Sequence, residues 1–323
     1  MTAPDPLRSR TDARASTARR GVLVIAFGGP HKSEDIRPFL RHVLAGRPVP
    51  EERFEGVVHH YEALGGKSPI TEHTEQQARA LATALRERGY EADVRVGMRH
   101  WTPWLKDTLA AFAADGYDEV LGVIMAAQET EASLSRYQEA VEAARQELGR
   151  APRVRYVTGW GLSEALIEAQ ACQLARALST LSGEARKDVR VLFSAHSIPA
   201  AMAAESPYVQ QLEETARRVA EKLALTSYPL VYQSRSGNPR DPWLEPDVLD
   251  ALREEAARGV RDVVVAPIGF VCDHVEVRYD LDIEAREQAR QLGLSFVRAA
   301  TLSAHPSFVR ALSDALASAW GAD

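Results

Sequence analysis

The sequence predicts an α/β protein built from two similar βα halves that face each other. Short, charge-free β-branched runs, such as residues 263–266, alternate along the chain with amphipathic helical patterns. These runs end in Gly, Pro or Ser and lead into the next helix, in the second half as in the first. The stretch Ala114-Asp115-Gly116-Tyr117-Asp118-Glu119-Val120 is echoed by Ala257-Arg258-Gly259-Val260-Arg261-Asp262-Val263, each ahead of a buried strand and a polar helix. A length of 323 residues allows two domains or one large α/β domain.

Residues 1–20 hold no apolar core sequence. Their Arg and Ser content suggests a transit peptide, but Asp5, Asp12 and the want of an apolar face argue against one, and a disordered arm is expected. Gly21-Val22-Leu23-Val24-Ile25-Ala26-Phe27 reads as a buried strand ending at Gly28-Gly29-Pro30. That turn lacks G-x-G-x-x-G spacing and carries Pro30, which excludes a nicotinamide site. A helix is expected over 33–45, capped by Ser33, with Ile36, Phe39, Leu40 and Val43 inward.

The loop Gly65-Gly66-Lys67-Ser68-Pro69 opens a second helix with Leu81 and Leu85 inward and a stop at Gly89. It could offer N–H groups and a hydroxyl to an anion, or simply start a helix. A strand over 93–97 runs into Met98-Arg99-His100-Trp101-Thr102-Pro103-Trp104, where cation, imidazole and indoles suit a flat, carboxylated ligand. A helix to Ala114, a strand over 120–125 and an amphipathic helix over 132–148 follow.

The second half repeats the pattern. A strand over 189–193 meets Ser194-Ala195-His196-Ser197-Ile198-Pro199. Ser206-Pro207 opens a helix with Leu212, Ala216, Val219 and Leu223 inward, and a strand near 229–233 precedes Ser234-Arg235-Ser236-Gly237. A helix over 247–257 leads to strand 263–266. The last helix carries Phe308, Leu312, Leu316 and Trp320 on one stripe.

After strand 263–266 comes Pro267-Ile268-Gly269-Phe270-Val271-Cys272-Asp273-His274-Val275-Glu276, read as a turn and a helix that Asp273 could cap. Glu276, Asp280 and Glu284 recur every fourth residue and share one helix face. Such acids repel by a few tenths of a kcal/mol per pair, which solvent, other cations or a metal ion must offset. The row is either a solvated acidic face or a site; its place at a strand's carboxyl end, beside His274, favours a site. His196, also at a strand's carboxyl end, is either a satisfied structural group or a ligand. A nucleophilic serine fails for want of G-x-S-x-G, and structural zinc for want of Cys/His pairs. What survives is a histidine from one half facing a glutamate from the other across a cleft.

Composition bounds the function. Apolar residues make up 45% and charged residues 26%, ordinary for a soluble globular protein. A net charge of −6 gives no general affinity for nucleic acid or anionic membrane. Two cysteines, Cys172 and Cys272, are too few for a disulfide framework or a four-thiolate cluster and point to a reducing interior. No apolar run approaches the ~20 residues that cross a bilayer.

From Gly21 to about Ser303 the chain resembles the ferrochelatases, which insert Fe²⁺ into a porphyrin. The resemblance rests on six motifs in order: Phe27-Gly28-Gly29-Pro30; residues 61–69; Phe193 to Pro199; Tyr232 to Gly237; Pro242-Trp243-Leu244-Glu245-Pro246; and residues 267–284. It implies two Rossmann-like lobes, 21–160 and 161–304. Each would be a four-stranded parallel sheet flanked by helices, with the helix over 305–322 packed back on the first lobe and the ligand cleft between them. It also implies that His196 and Glu276 are the catalytic, metal-handling pair and that Asp280 and Glu284 continue a metal path. Walls of Phe27, Trp101, Trp104, Tyr232, Trp243 and Ile25, with Tyr61 and His100, would grip the ring. Lys67, Ser68, Arg99, Tyr137 and Arg235 would hold propionates.

The chemistry is consistent with those residue types. Insertion removes two pyrrole protons and strips water from Fe²⁺; imidazole can bind the ion or accept a proton, and carboxylates replace aqua oxygens. The cleft should hold a ruckled ring more tightly than a planar one. Two departures stand out: Phe27 where some short bacterial relatives have Tyr, and Ala127-Gln128-Glu129-Thr130-Glu131, which puts two carboxylates near the expected mouth. The resemblance is to the short bacterial type that metallates coproporphyrin III; protoporphyrin IX, a sirohydrochlorin-type chelatase and a non-catalytic tetrapyrrole-binding protein are the alternatives. A cytoplasmic monomer is expected, with porphyrin and ferrous iron as substrates and neither nucleotide nor iron–sulfur cluster.

Overall fold

Strand β1 (Arg20–Ala26) is apolar on both faces because both faces are covered: Val22, Leu23, Val24 and Ile25 are at most 1% exposed. Such continuous β-branched runs belong to parallel sheets with helices on either side. The computed structural model describes residues 19–130, 133–236 and 241–321. The expected arm, as far as residue 18, and Glu131 and Gly237 lie outside the described residues.

Two four-stranded sheets form, all pairs parallel and with the same strand order. In the first, β1 lies between β2 (Ala92–Met98) and β3 (Glu119–Ile124), and β4 (Arg153–Tyr156) borders β3. In the second, β5 (Arg190–His196) lies between β6 (Leu230–Gln233) and β7 (Asp262–Ala266), and β8 (Ser295–Arg298) borders β7. The repeated heptapeptide marks equivalent corners of these sheets. Gly116 and Gly259, with φ of +80° and +85°, turn the chain out of a helix and into β3 and β7, a conformation that favours glycine.

The flanking helices are α1 (Ser33–Leu44), α2 (Glu51–Ala63), α3 (Ile70–Glu87), α4 (Leu105–Ala114), α5 (Ser135–Leu148), α6 (Glu164–Ser179), α7 (Gly183–Asp188), α8 (Ala200–Ala204), α9 (Tyr208–Lys222) and α10 (Val248–Ala257). After β7 come one turn of α11 (Val275–Val277), a π-helix (Arg278–Ala285) and α12 (Arg286–Gln291), with α13 (Pro306–Gly321) last. Ser33 does not cap α1. Lys32 holds the N-cap position without a side-chain bond, and the His31 N–H donates to the Asp35 carboxylate at 3.2 Å.

Phe308, Leu312 and Leu316 of α13 pack with Leu81 and Leu85 of α3 and with Leu166 of α6. Helix α6 is shared: Ala165, Leu166 and Ala169 join the first core, whereas Ile167, Ala171 and Leu174 join the second. One helix thus braces both sheets, and Gln77 of α3 adds a polar tie. Its Nε2 donates to the carbonyls of Val271 and Ser303, each at 3.1 Å.

Candidate active site

In the second sheet the chain leaves β5 toward β6 on one side and returns to β7 on the other. The gap beyond the carboxyl ends of β5 and β7 is therefore a topological switch point, where open α/β sheets place ligands. His196 is the last residue of β5, and Glu276 follows β7 on α11. The expected placement of this pair on opposite halves is corrected here: both belong to the second half, His196 at the end of β5 and Glu276 on the helix that follows the neighbouring strand β7.

The pair's geometry suits a cation. His196 Nε2 lies 3.6 Å from Glu276 Oε1, long for a hydrogen bond. An ion at roughly 2.1 Å from each atom, a usual first-row metal distance, would subtend about 120° between them. His196 Nδ1 contacts the Ser197 carbonyl, which can only accept, so Nδ1 carries a proton; in the neutral ring the Nε2 lone pair and the Glu276 carboxylate are then two acceptors that a cation can bridge. Tyr208 Oη donates to the His196 carbonyl at 2.9 Å, and Gln233 Nε2 donates to the Glu276 carbonyl at 3.2 Å. Ser194 Oγ fixes the other end of the Gln233 amide at 3.1 Å.

Burial would push the His196 imidazole down, but the Glu276 carboxylate overcomes it and holds the group above its ordinary value. Burial opposes ionisation of Glu276 in turn, yet His196, His274 and His60 bring it down to about 2. Asp273 does not cap this helix. His274 does, its Nδ1 accepting the Glu276 N–H at 3.2 Å, while Asp273 pairs with Arg298.

The acidic row runs from α11 into the π-helix, a rare wide turn found often at functional sites. Burial and mutual repulsion raise the affinity of its lower members for protons. Burial first, then Glu276 and Glu284, lift Asp280 to about 7 against the Ser234 hydroxyl that donates to it. Burial and Asp247 also raise Glu284. Among the described residues no three His, Cys, Asp or Glu side chains form a metal site by themselves.

The first half closes over this centre. Val275 packs among Ile36, Phe39, Val58 and Tyr61, and His60 stacks on Tyr279 of the π-helix at 3.7 Å and 15°. Phe27, at the end of β1, is the one large apolar side chain left exposed among the described residues. Its ring lies 4.5 Å from His100, which burial lowers to about 3 and whose Nδ1 is buried without a hydrogen-bond partner among the described residues. Arg99 sits over the Tyr137 ring at 5.4 Å, and Tyr137 is within electrostatic reach of Cys272 and Glu276.

The sequence matches the Ferrochelatase family model over residues 19–319. The chain belongs to the ferrochelatase family. It is accordingly an enzyme of the lyase class, a metal chelatase. It is 40% identical over 289 residues to a ferrochelatase of Rhodopirellula baltica, covering 89% of this chain and 82% of that protein. It is 40% identical over 302 residues to the coproporphyrin III ferrochelatase of Nocardia farcinica, covering 91% and 86%. In fold it is similar to the sirohydrochlorin chelatase SirB of Bacillus subtilis subspecies spizizenii in complex with cobalt. That likeness has a TM-score of 0.55 at 10% identity, over 93% of this chain and 94% of that one.

The residues that the ferrochelatase resemblance assigned to the ring or its carboxylates lie in varied surroundings. Ile25 and Tyr232 are buried core residues of the two halves. Lys67 pairs with Glu72 on the surface, and Ser68 is buried against Gly29 with its hydroxyl toward the Ile70 N–H. Tyr61 is buried in the seam beside Val275. Arg235 donates to the Asp241 carbonyl at 3.1 Å. Trp243 bridges to Pro199, its indole nitrogen buried without a partner among the described residues. Trp101 and Trp104 lie 5.9 Å apart, with Trp101 against Phe39. Glu129 borders a small crevice with Tyr156 and Trp160, and its N–H donates to Gln211 at 2.7 Å.

Gln233, Tyr208 and Arg298 were missed. The first two act on backbone carbonyls and the third on carboxylates distant in sequence, so only Gln233, inside a recognised motif, gave any signal.

Gly269 links this site to the fold. A Cβ there would lie 2.7 Å from Ala195 Cβ and 2.9 Å from its Cα, next to His196. Gly269→Ala is expected to cost roughly 1–3 kcal/mol of stability, read by denaturant melts. Because the strain falls on the end of β5, metallation should drop in the fraction that remains folded.

Proposed function

We propose that this enzyme inserts Fe²⁺ into coproporphyrin III, giving coproheme and releasing two protons. The observation that carries the reading is the 3.6 Å gap between His196 Nε2 and Glu276 Oε1. Two ligands hold an ion loosely enough to surrender it, and imidazole can take a pyrrole proton once the metal has passed. Fe²⁺ enters along Glu284, Asp280 and Glu276, exchanging aqua oxygens for carboxylates. Phe27, His100, Trp101 and Trp243 grip the ring between lobes 21–160 and 161–304.

Support for the four-carboxylate substrate comes from Arg99. Burial lowers its guanidinium, and it makes no ion pair with a carboxylate among the described residues. The relatives named coproporphyrin III ferrochelatase point the same way. Under this proposal the enzyme works as a cytoplasmic monomer, without an iron–sulfur cluster or nucleotide. No helix among the described residues is long and apolar enough to cross a membrane.

The test is an anaerobic competition of coproporphyrin III, protoporphyrin IX and sirohydrochlorin for ferrous iron. Coproporphyrin III should give the highest kcat/KM, and Arg99→Ala should raise its KM by about 10-fold, the worth of one charge-assisted hydrogen bond. Equal or better use of protoporphyrin IX would overturn the specificity. Binding without metallation would make the chain a tetrapyrrole-binding protein.

A further inference from the structure

Arg298 ends β8 and is only 13% exposed, yet no step described so far uses it. Its guanidinium grips two carboxylates at once. Nη1 and Nη2 donate to the two oxygens of Asp273 at 3.1 and 3.0 Å, and Nε and Nη2 donate to those of Asp282 at 2.8 and 3.0 Å. Thr301 Oγ1 donates to Asp273 at 2.8 Å, so the loop side of the clamp is itself held.

One carboxylate precedes the metal-handling segment and the other lies within it. Asp273 lies on the loop just before Glu276, and Asp282 lies within the π-helix between Asp280 and Glu284. Residues two apart on a helix do not face the same way, so Asp282 points away from the acidic row. A π-turn is uncommon and is held by its surroundings more than by local preference. One planar fork therefore ties the loop before the acidic segment and the π-turn within it to an edge strand of the rigid sheet. A buried ion pair is poor evidence of stabilisation alone, since well-packed apolar groups often do as well. Its value here lies in geometry: a functional group is only as well placed as the groups that support it.

Resting on the proposed function, we propose that Arg298 is a positioning residue for metal insertion, holding Glu276, Asp280 and Glu284 on the cleft side through Asp273 and Asp282. Lysine keeps the charge but cannot span both carboxylates as a fork. Arg298→Lys should lower kcat/KM for Fe²⁺ by roughly 10- to 100-fold, the usual cost of losing an outer support of a metal site. Asp282→Asn should act in the same direction. Porphyrin affinity, read by fluorescence quenching, should stay at the wild-type value, because the ring-gripping residues lie elsewhere. The double variant should lose little more than the worse single one, as expected of members of one network.

The experiment measures wild type, Arg298→Lys, Asp282→Asn and the double variant at varied Fe²⁺ and fixed porphyrin, with melting curves for each. If Arg298→Lys does not fold, Asp282→Asn, which leaves the Arg298–Asp273 contacts in place, carries the test. Folded variants with wild-type Fe²⁺ kinetics overturn the inference, as does a parallel loss of porphyrin binding. A wild-type enzyme that binds porphyrin without metallating it overturns the proposed function, and this inference with it; normal wild-type turnover with unaltered variants overturns this inference alone.

Discussion

His196→Ala is expected to lower ferrous insertion by roughly 10³-fold, within the range for losing a positioned proton acceptor. The loss comes from Nε2, which in the neutral ring presents a lone pair to a cation or proton in the gap beside Glu276. The fold should survive, because Tyr208 and Ser197 engage the backbone around residue 196 and β5 pairs through main-chain bonds. Porphyrin should still bind, since Phe27 and His100 are untouched. Following porphyrin absorbance anaerobically separates the two effects. A variant within about 10-fold of wild type would remove the imidazole from the mechanism.

Glu276→Gln should cost about 10- to 100-fold in insertion at its best pH, and should also move the pH profile. The sign follows from the pair. In the wild type Glu276 favours the charged imidazole and keeps His196 above its ordinary value. Only the neutral imidazole binds metal or takes a proton, so activity falls as pH drops through that raised value. Without the carboxylate's charge, burial has less to oppose it and the His196 pKa declines. The acid limb of kcat/KM should shift to lower pH in Glu276→Gln. An unmoved limb would mean that another group sets it.

The central strands were legible because burial on both faces writes an unbroken apolar run, as in β1 and β7. Of the edge strands, β2 and β6 were legible and β4 and β8 were not. β4 reads Arg-Val-Arg-Tyr and β8 reads Ser-Phe-Val-Arg, half-exposed alternations too short to stand out. Helix α2 escaped notice because Gly56 and paired histidines blur its stripe. Helix α6 has to satisfy two cores and so shows no single apolar face. At the site, the spacing of Glu276, Asp280 and Glu284 gave the row but not the π-turn, since a period of four fits either helix. Asp273 looked like a cap because its true partner, Arg298, is 25 residues away. The pairing of β5 with β7 is likewise non-local, which is why His196 and Glu276 were expected on opposite halves. Of the two readings of the loop at Lys67 and Ser68, the structure shows the helix start, with Lys67 paired to Glu72 on the surface and Ser68 buried against Gly29.

The most direct measurement is anomalous diffraction from crystals of the porphyrin-free enzyme soaked with Zn²⁺ as a probe of the metal site. The account predicts one ion bound by both His196 Nε2 and Glu276 Oε1, at about 2.0–2.2 Å from each. An ion held only by Asp280 and Glu284, with the imidazole unligated, would contradict it.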